Sequence, residues 1–210
     1  MKYYPIFLDI LGKKCVVVGG GEVAARKVNR LLNCGAKVFV VSPKLSPELI
    51  NLQAQSTIKH IAADYNVQYT EGAALIIGAT DDEKTNALIS SDARSRGIPV
   101  NIVDDPQKCD FILPSVVERG DLTIAIGTGG KSPALARHVR KELEAKYGVE
   151  YGILLKILGG LRRQIKNSST GKTWFDSLIA SGILDLIAAA DWEKVKRTVK
   201  EITGEEVAIE

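Results

Sequence analysis

Lys14–Arg26, KCVVVGGGEVAAR, decides how the rest of the chain is read. Cys15 to Val18 is an apolar, mostly β-branched run, the composition of a strand buried on both faces of a parallel sheet. Gly19, Gly20 and Gly21 follow without a break, and a helical stretch runs from Glu22 to about Cys34, closed by Gly35. Strand, glycine turn and helix in that order put Gly19, Gly21 and Ala24 at the three positions of the G-x-G-x-x-A dinucleotide fingerprint. Gly19 permits the sharp turn, Gly21 lets the backbone approach a pyrophosphate, and small Ala24 lets the helix pack close to the strand. The free N–H groups and the positive end of the helix dipole then meet the phosphates. A glycine-rich turn also occurs in ordinary α/β connections; the legible strand before it and helix after it favour a dinucleotide site.

The bulk properties bound the remainder. With 210 residues, 45% hydrophobic and 25% charged, the composition is that of a soluble globular protein. No apolar run approaches the roughly 20 residues of a membrane span, and MKYYPIFLDI lacks the pattern of a secretory signal. A cytoplasmic protein with no membrane partner is therefore expected. A net charge of +3 with dispersed basic residues is no nucleic-acid footprint, although it suits an acidic small molecule. Cys15, Cys34 and Cys109 have no metal-type spacing, and Cys15 and Cys34 are expected to be buried core residues in a reducing compartment. Two distant histidines, His60 and His138, add no closed ligand set, so no resident metal is expected.

Outward from the glycine turn, strands and helices alternate. Tyr3 to Leu8 reads as an edge strand or a segment lying over the sheet. Lys37 to Val41 gives the second strand, and Ser46-Pro47 opens a helix with Ser46 as N-cap. Ile58 to Ala62 reads as a short third strand, Ala73 to Ala79 as a buried one, Glu83 to Arg96 as a helix closed by Gly97, and Ile98 to Val103 as a strand. Such βαβ units imply a Rossmann-like, doubly wound parallel α/β sheet. Beyond Asp104 the pattern changes. Phe111 to Val117 and Leu122 to Ile126 read as a β-hairpin around Glu118-Arg119-Gly120-Asp121, and Gly127 to Lys131 is a second glycine loop. Ser132-Pro133 then caps a helix to about Tyr147. From Val149 only helical patterns remain, broken near Gly159-Gly160, Ser168 to Gly171, Gly182 and Gly204. The expected organisation is an NAD-binding domain over 1–113, a hairpin-plus-helix segment over 114–148 and a small all-α domain over 149–210.

Candidate chemistry lies at the carboxyl ends of the strands, where open α/β sheets bind ligands. Ser42 stands where NAD-binding domains often carry a ribose-binding acid, with Lys44 two residues on; the pair favours NAD while leaving a 2′-phosphate conceivable. Thr80-Asp81-Asp82 and Asp104-Asp105 end two further strands. Asp81, Asp82 and Asp105 read as caps or turn formers. Asp104 reads equally as a turn former and as a general base or transient metal ligand. The Gly127 to Ser132 loop reads equally as an anion cradle and as a plain β-to-α connection.

Whole strings carry a resemblance. YPIFLDILGKKCVVVGGGEVAARKV, ATDD with Asn86, NIVDDP and FILPSVVERGDLTIAIGTGGKSPALAR resemble the precorrin-2 dehydrogenase family, which includes the dehydrogenase–ferrochelatase part of siroheme synthases. The resemblance spans about residues 3 to 147. It implies oxidation of precorrin-2 to sirohydrochlorin with NAD as cofactor, and in several members insertion of ferrous iron to give siroheme. It also implies a homodimer, with a central dimerisation region. By that analogy Gly19, Gly20, Gly21, Glu22, Val23, Ser42, Pro43 and Lys44 hold the cofactor, joined by Thr80 on the same sheet edge. Asp104 matches the family aspartate implicated in chelation and proton removal, with iron passing near it. Thr128 stands where some members have serine, and Thr128, Gly129, Lys131 and Arg137 would meet the carboxylates of the tetrapyrrole. Lys131, Arg137 and Arg140 read also as solvated helix charges. The rival from another class is a non-enzymatic NAD-sensing module acting through the helical tail.

Overall fold

The computed structural model describes residues 2–164 and 168–207, which fall into two compact units, 1–113 and 114–210. In the first, β1 (Lys14–Val18), β2 (Lys37–Val41), β3 (Lys59–Ile61), β4 (Leu75–Gly78) and β5 (Val100–Ile102) form one parallel sheet ordered β3-β2-β1-β4-β5. Alternation along β1 splits the core into two layers. Cys15 and Val17 pack with Ala24, Ala25 and Val28 of α1 (Glu22–Asn33) and Leu49 of α2 (Pro47–Ala54). Val16 and Val18 pack on the other face with Ile89 and Ala93 of α3 (Glu83–Ser95). Helices thus cover both faces, as expected for a doubly wound sheet. The strand order reverses at β1, which makes the gap between the ends of β1 and β4 a ligand-binding switch point.

In the second unit β6 (Ser115–Arg119) and β7 (Leu122–Ile126) form an antiparallel hairpin. Arg119 pairs with Leu122, so the turn is only Gly120-Asp121, with Gly120 at φ +60°. Arg119 also donates to the carbonyls of Tyr147 (2.8 Å) and Glu144 (3.0 Å), satisfying the last turn of α4 (Pro133–Lys146). Helices α5 (Val149–Gln164), α6 (Ser168–Ala180), α7 (Ile183–Ala188) and α8 (Trp192–Thr203) follow, and Leu161, Leu178, Ile183, Val195 and Val199 form their buried centre.

Several expectations are corrected. Tyr3 to Leu8 joins no strand, and Tyr4 is 87% and Phe7 76% exposed; Pro5 lacks the N–H that a ladder needs, and Ile10 is the first residue of this stretch to enter the core. Cys34 is exposed because it is the C-cap of α1, past the end of the buried stripe. Ser46 is at the N-cap of α2 but makes no side-chain cap. Gly159-Gly160 does not break α5; the break expected at Ser168 to Gly171 falls at the start of α6, next to residues 165–167, which lie outside the described residues. A helical glycine costs about 1 kcal/mol relative to alanine, and burial of Leu154, Ile157 and Leu161 along α5 outweighs that.

Candidate active site

Each of the three glycines at the end of β1 does something different. Gly19 is at φ +119°, and a Cβ there would lie 2.2 Å from the carbonyl oxygen of Ala79. Gly20 faces the loop after β2: a Cβ would lie 1.9 Å from the Lys44 carbonyl oxygen and 2.6 Å from Ser42 Oγ. Gly21 faces open space. It is also the N-cap of α1, with no side-chain cap, whereas Asp82 caps α3 and Ser132 caps α4. The first N–H groups of α1, at Glu22 and Val23, therefore lack a protein acceptor of the kind the other two helices have. An uncapped helix start with vacant space at Gly21 fits the pyrophosphate of a dinucleotide.

A cleft of about 440 Å³ opens beside this turn, bordered by Gly19, Ser42, Pro43, Asp64, Tyr65 and Thr80 among others. Ser42 Oγ donates to the Lys44 carbonyl (2.7 Å), and the Ser42 carbonyl is 2.8 Å from His60 Nε2. Thr80 is clamped from both sides: its hydroxyl donates to Asn86 Oδ1 (2.9 Å), and Asn86 Nδ2 donates to the Thr80 carbonyl (2.9 Å). Asp82 accepts from the amides of Lys84 and Thr85 and from the Thr85 hydroxyl, and these bonds hold its carboxyl below the ordinary range, the hydroxyl contributing most. The Tyr65 hydroxyl donates to Asp92 (3.1 Å); burial, and then the Asp92 charge, push that phenol up.

Asp104 lies just past β5, exposed and at φ +61°, a left-handed conformation that Asp tolerates better than most residues. Its side chain makes no hydrogen bond or ion pair among the described residues. Its charge acts on half-buried Lys27 of α1, whose ammonium is held below its ordinary range by burial first and by Arg30 and Arg26 next, Asp104 opposing them. Neighbouring Asp105 is committed elsewhere, accepting from the Gln107 amide (3.1 Å) and from Lys108 Nζ (2.6 Å). Among the described residues no group of three or more His, Cys, Asp or Glu is placed to hold a metal.

In the second unit, Thr128, Gly129, Gly130 and Lys131 form a tight turn closed by the Lys131 amide on the Thr128 carbonyl (3.2 Å), with Gly129 at φ +63° and Gly130 at φ +80°. The Thr128 hydroxyl donates to the Ser132 carbonyl (3.1 Å) and accepts from its amide (3.2 Å). Lys131 and Arg137 are exposed with no ion pair among the described residues, whereas Arg140 is paired with Glu144. Asp64, Tyr65 and Lys27 escape a reading of the sequence, and His60 enters it only as one of two distant histidines without a ligand set. The first two follow a three-residue edge strand, and Lys27 is one cation among several on α1.

A family model described as "Putative NAD(P)-binding" matches residues 6–115, and one described as "Sirohaem biosynthesis protein central" matches residues 119–146. The chain is 43% identical over 173 residues to a siroheme synthase of Methylobacillus flagellatus, covering 82% of this chain and 37% of the relative. It is 34% identical over 207 residues to a siroheme synthase of Photobacterium profundum, covering 97% of this chain and 44% of the relative. The chain thus spans less than half the length of these curated relatives. Among solved structures, one titled "SirC, precorrin-2 dehydrogenase" shares the fold at TM-score 0.77 and 23% identity, over 97% of this chain and all of that one. No described helix is long and apolar enough to cross a membrane.

Proposed function

Because the chain belongs to the family that joins this NAD(P)-binding domain to the central region of sirohaem biosynthesis proteins, we propose that it oxidises precorrin-2 to sirohydrochlorin in siroheme biosynthesis, with NAD as the cofactor. The observation that carries the cofactor half is the uncapped start of α1 beside open space at Gly21. The names of the relatives carry the choice of substrate. Those relatives are enzymes by name, and nothing in them favours a sensing module.

NAD, when bound, accepts the hydride. The chain's own tasks are then few. Gly20, Gly21, Glu22 and Val23 bring backbone amides to the pyrophosphate, with Ser42, Pro43, Lys44 and Thr80 bordering or supporting the adjacent site. Asp104, exposed and uncommitted, takes the proton released when the substrate gives up a hydride. The same carboxylate suits a second activity, insertion of ferrous iron as substrate, in which two pyrrole protons leave. Lys131 and Arg137 supply unpaired cations for the carboxylates of the tetrapyrrole. Thr128 and Gly129 shape the turn that presents them, since the Thr128 hydroxyl is already engaged by Ser132. We assign 114–148 to dimerisation, 149–210 to a helical domain, and the protein to the cytoplasm as a homodimer.

The test is anaerobic absorbance of precorrin-2 with the protein and NAD, followed by ferrous iron. Sirohydrochlorin together with NADH is expected, and a further change to siroheme above the protein-free rate adds the chelatase. Asp104→Asn, which keeps a residue tolerant of the left-handed backbone, should bind NAD normally and lose most turnover. No oxidation by wild-type protein that demonstrably binds NAD rejects the proposed reaction.

A further inference from the structure

In dinucleotide-binding domains an acid near the end of the second strand commonly accepts hydrogen bonds from the adenosine ribose. Ser42 occupies that place here; its one proton goes to the Lys44 carbonyl, and what remains is a neutral hydroxyl acceptor in place of a charged, two-oxygen carboxylate. Lys44, the cation that would attract a 2′-phosphate, does not border the cleft, and among the described residues neither does any other lysine or arginine. Its carbonyl instead packs under Gly20. Two carboxylates do border the cleft, Asp64 and Asp82. Asp82 is consumed in capping α3. Asp64, three residues past the end of β3, is exposed and makes no hydrogen bond or ion pair among the described residues. Beside it the Tyr65 ring, tethered through its hydroxyl to Asp92, gives the cleft an aromatic wall, and Leu88, 51% exposed, gives it an aliphatic one. Together these walls suit the flat face of a purine.

We infer that Asp64 is the ribose-recognising acid of this site and makes it selective for NAD over NADP. The inference rests on the dinucleotide reading above and adds to it the residue that chooses between the two cofactors. A carboxylate accepts hydrogen bonds from both hydroxyls of an unmodified ribose. A 2′-phosphate removes one of those donors and sets about two negative charges against Asp64, with no cation on the cleft wall to offset them. The acid has therefore moved one strand outward, from the end of β2 to the loop after β3, and Ser42 is left to brace the loop against the glycine turn.

Calorimetric titration of the full chain with NAD and with NADP tests this. Wild-type protein should bind NAD at least about tenfold more tightly than NADP, the scale of one charged hydrogen bond. Asp64→Asn should weaken NAD several-fold and leave NADP unchanged or tighter, bringing the ratio towards one. Because Asp64 is exposed and unpaired, its unfolding midpoint should match that of the wild type. A ratio unchanged in Asp64→Asn, or a wild-type preference for NADP, overturns the inference. If wild-type protein binds neither dinucleotide, the cofactor reading falls and this assignment with it. If NAD binds, Gly21→Asp abolishes it and Asp64→Asn changes nothing, the cofactor reading stands and the assignment to Asp64 alone is wrong.

Discussion

The carbonyl oxygen of Gly20 accepts a 2.7 Å hydrogen bond from the amide of Ser46, so the glycine turn after β1 and the start of α2 are fastened together by backbone. Two adjacent glycines consequently have opposite jobs. At Gly20 a side chain would collide with the Lys44 carbonyl, whereas at Gly21 it would meet no protein atom. Gly20→Ala should lower stability by about 2 kcal/mol or more, as overpacking against backbone does. Gly21→Asp adds a favourable N-cap and should unfold at or above the wild-type midpoint, yet lose dinucleotide binding through bulk and charge. Denaturation and calorimetry on the pair decide it; retained NAD affinity in Gly21→Asp would remove the turn from the site.

Much of this arrangement is legible in the sequence, for physical reasons that also mark where legibility ends. β1, β2 and β4 are buried on both faces and so appear as unbroken apolar runs. The caps Asp82 and Ser132 declare themselves by residue type and position. What cannot be read is whatever depends on distant packing. Nothing local says that Gly20 must yield to Lys44, or that Ser46 contributes its amide and not its hydroxyl, which is buried and without a hydrogen-bond partner among the described residues. β3 is a three-residue edge strand with no fully buried position, so the loop that delivers Asp64 and Tyr65 to the cleft has no periodic signature. The resemblance to a known family extended the reading to substrate chemistry, but it named none of those cleft residues.

The three cysteines should separate cleanly by reactivity. Cys34 is exposed at the end of α1, while Cys15 and Cys109 are buried. Burial, with Cys34 and its charge next, pushes the Cys15 thiol up to about 11. Burial raises Cys109 as well, and its sulfur is engaged with Ile102 backbone. Titration of native protein with a thiol reagent at neutral pH should show one fast equivalent, absent in Cys34→Ser, and three after denaturation. Two fast equivalents in the native state would contradict the packing of β1 or of the Cys109 turn.

The cap on α3 predicts an acid-sensitive contribution to stability. Asp82 is held below the ordinary carboxylate range by the Thr85 hydroxyl first and the Thr85 amide next. A carboxyl with a folded pKa below its unfolded value stabilises the fold fully above the unfolded value, about 3.9. That contribution is lost as the pH falls through the lower folded value. Urea titrations should therefore show Asp82→Ala less stable than wild type at pH 7, with the gap narrowing progressively below about pH 4. A gap independent of pH would mean that Asp82 acts through packing and not through its charge.

Asn86 separates two functions that a single deletion would confuse. It accepts from the Thr80 hydroxyl and donates to the Thr80 carbonyl, fixing the residue that borders the cleft at the end of β4. Asn86→Ala removes both bonds and should cost about 1–3 kcal/mol, since each is worth roughly 1 kcal/mol net. Asn86→Asp keeps an acceptor for the hydroxyl but cannot donate to the carbonyl, and it sets a carboxylate beside an acceptor oxygen. If the clamp serves the dinucleotide, NAD affinity should fall several-fold in both variants, and more in Asn86→Asp, whose added negative charge also repels an anionic ligand. If the clamp serves only the fold, the stability loss will appear in denaturation while NAD affinity in the folded variants stays at the wild-type value. The ratio of the two losses across the pair therefore reports whether Thr80 touches the ligand or merely ends its strand.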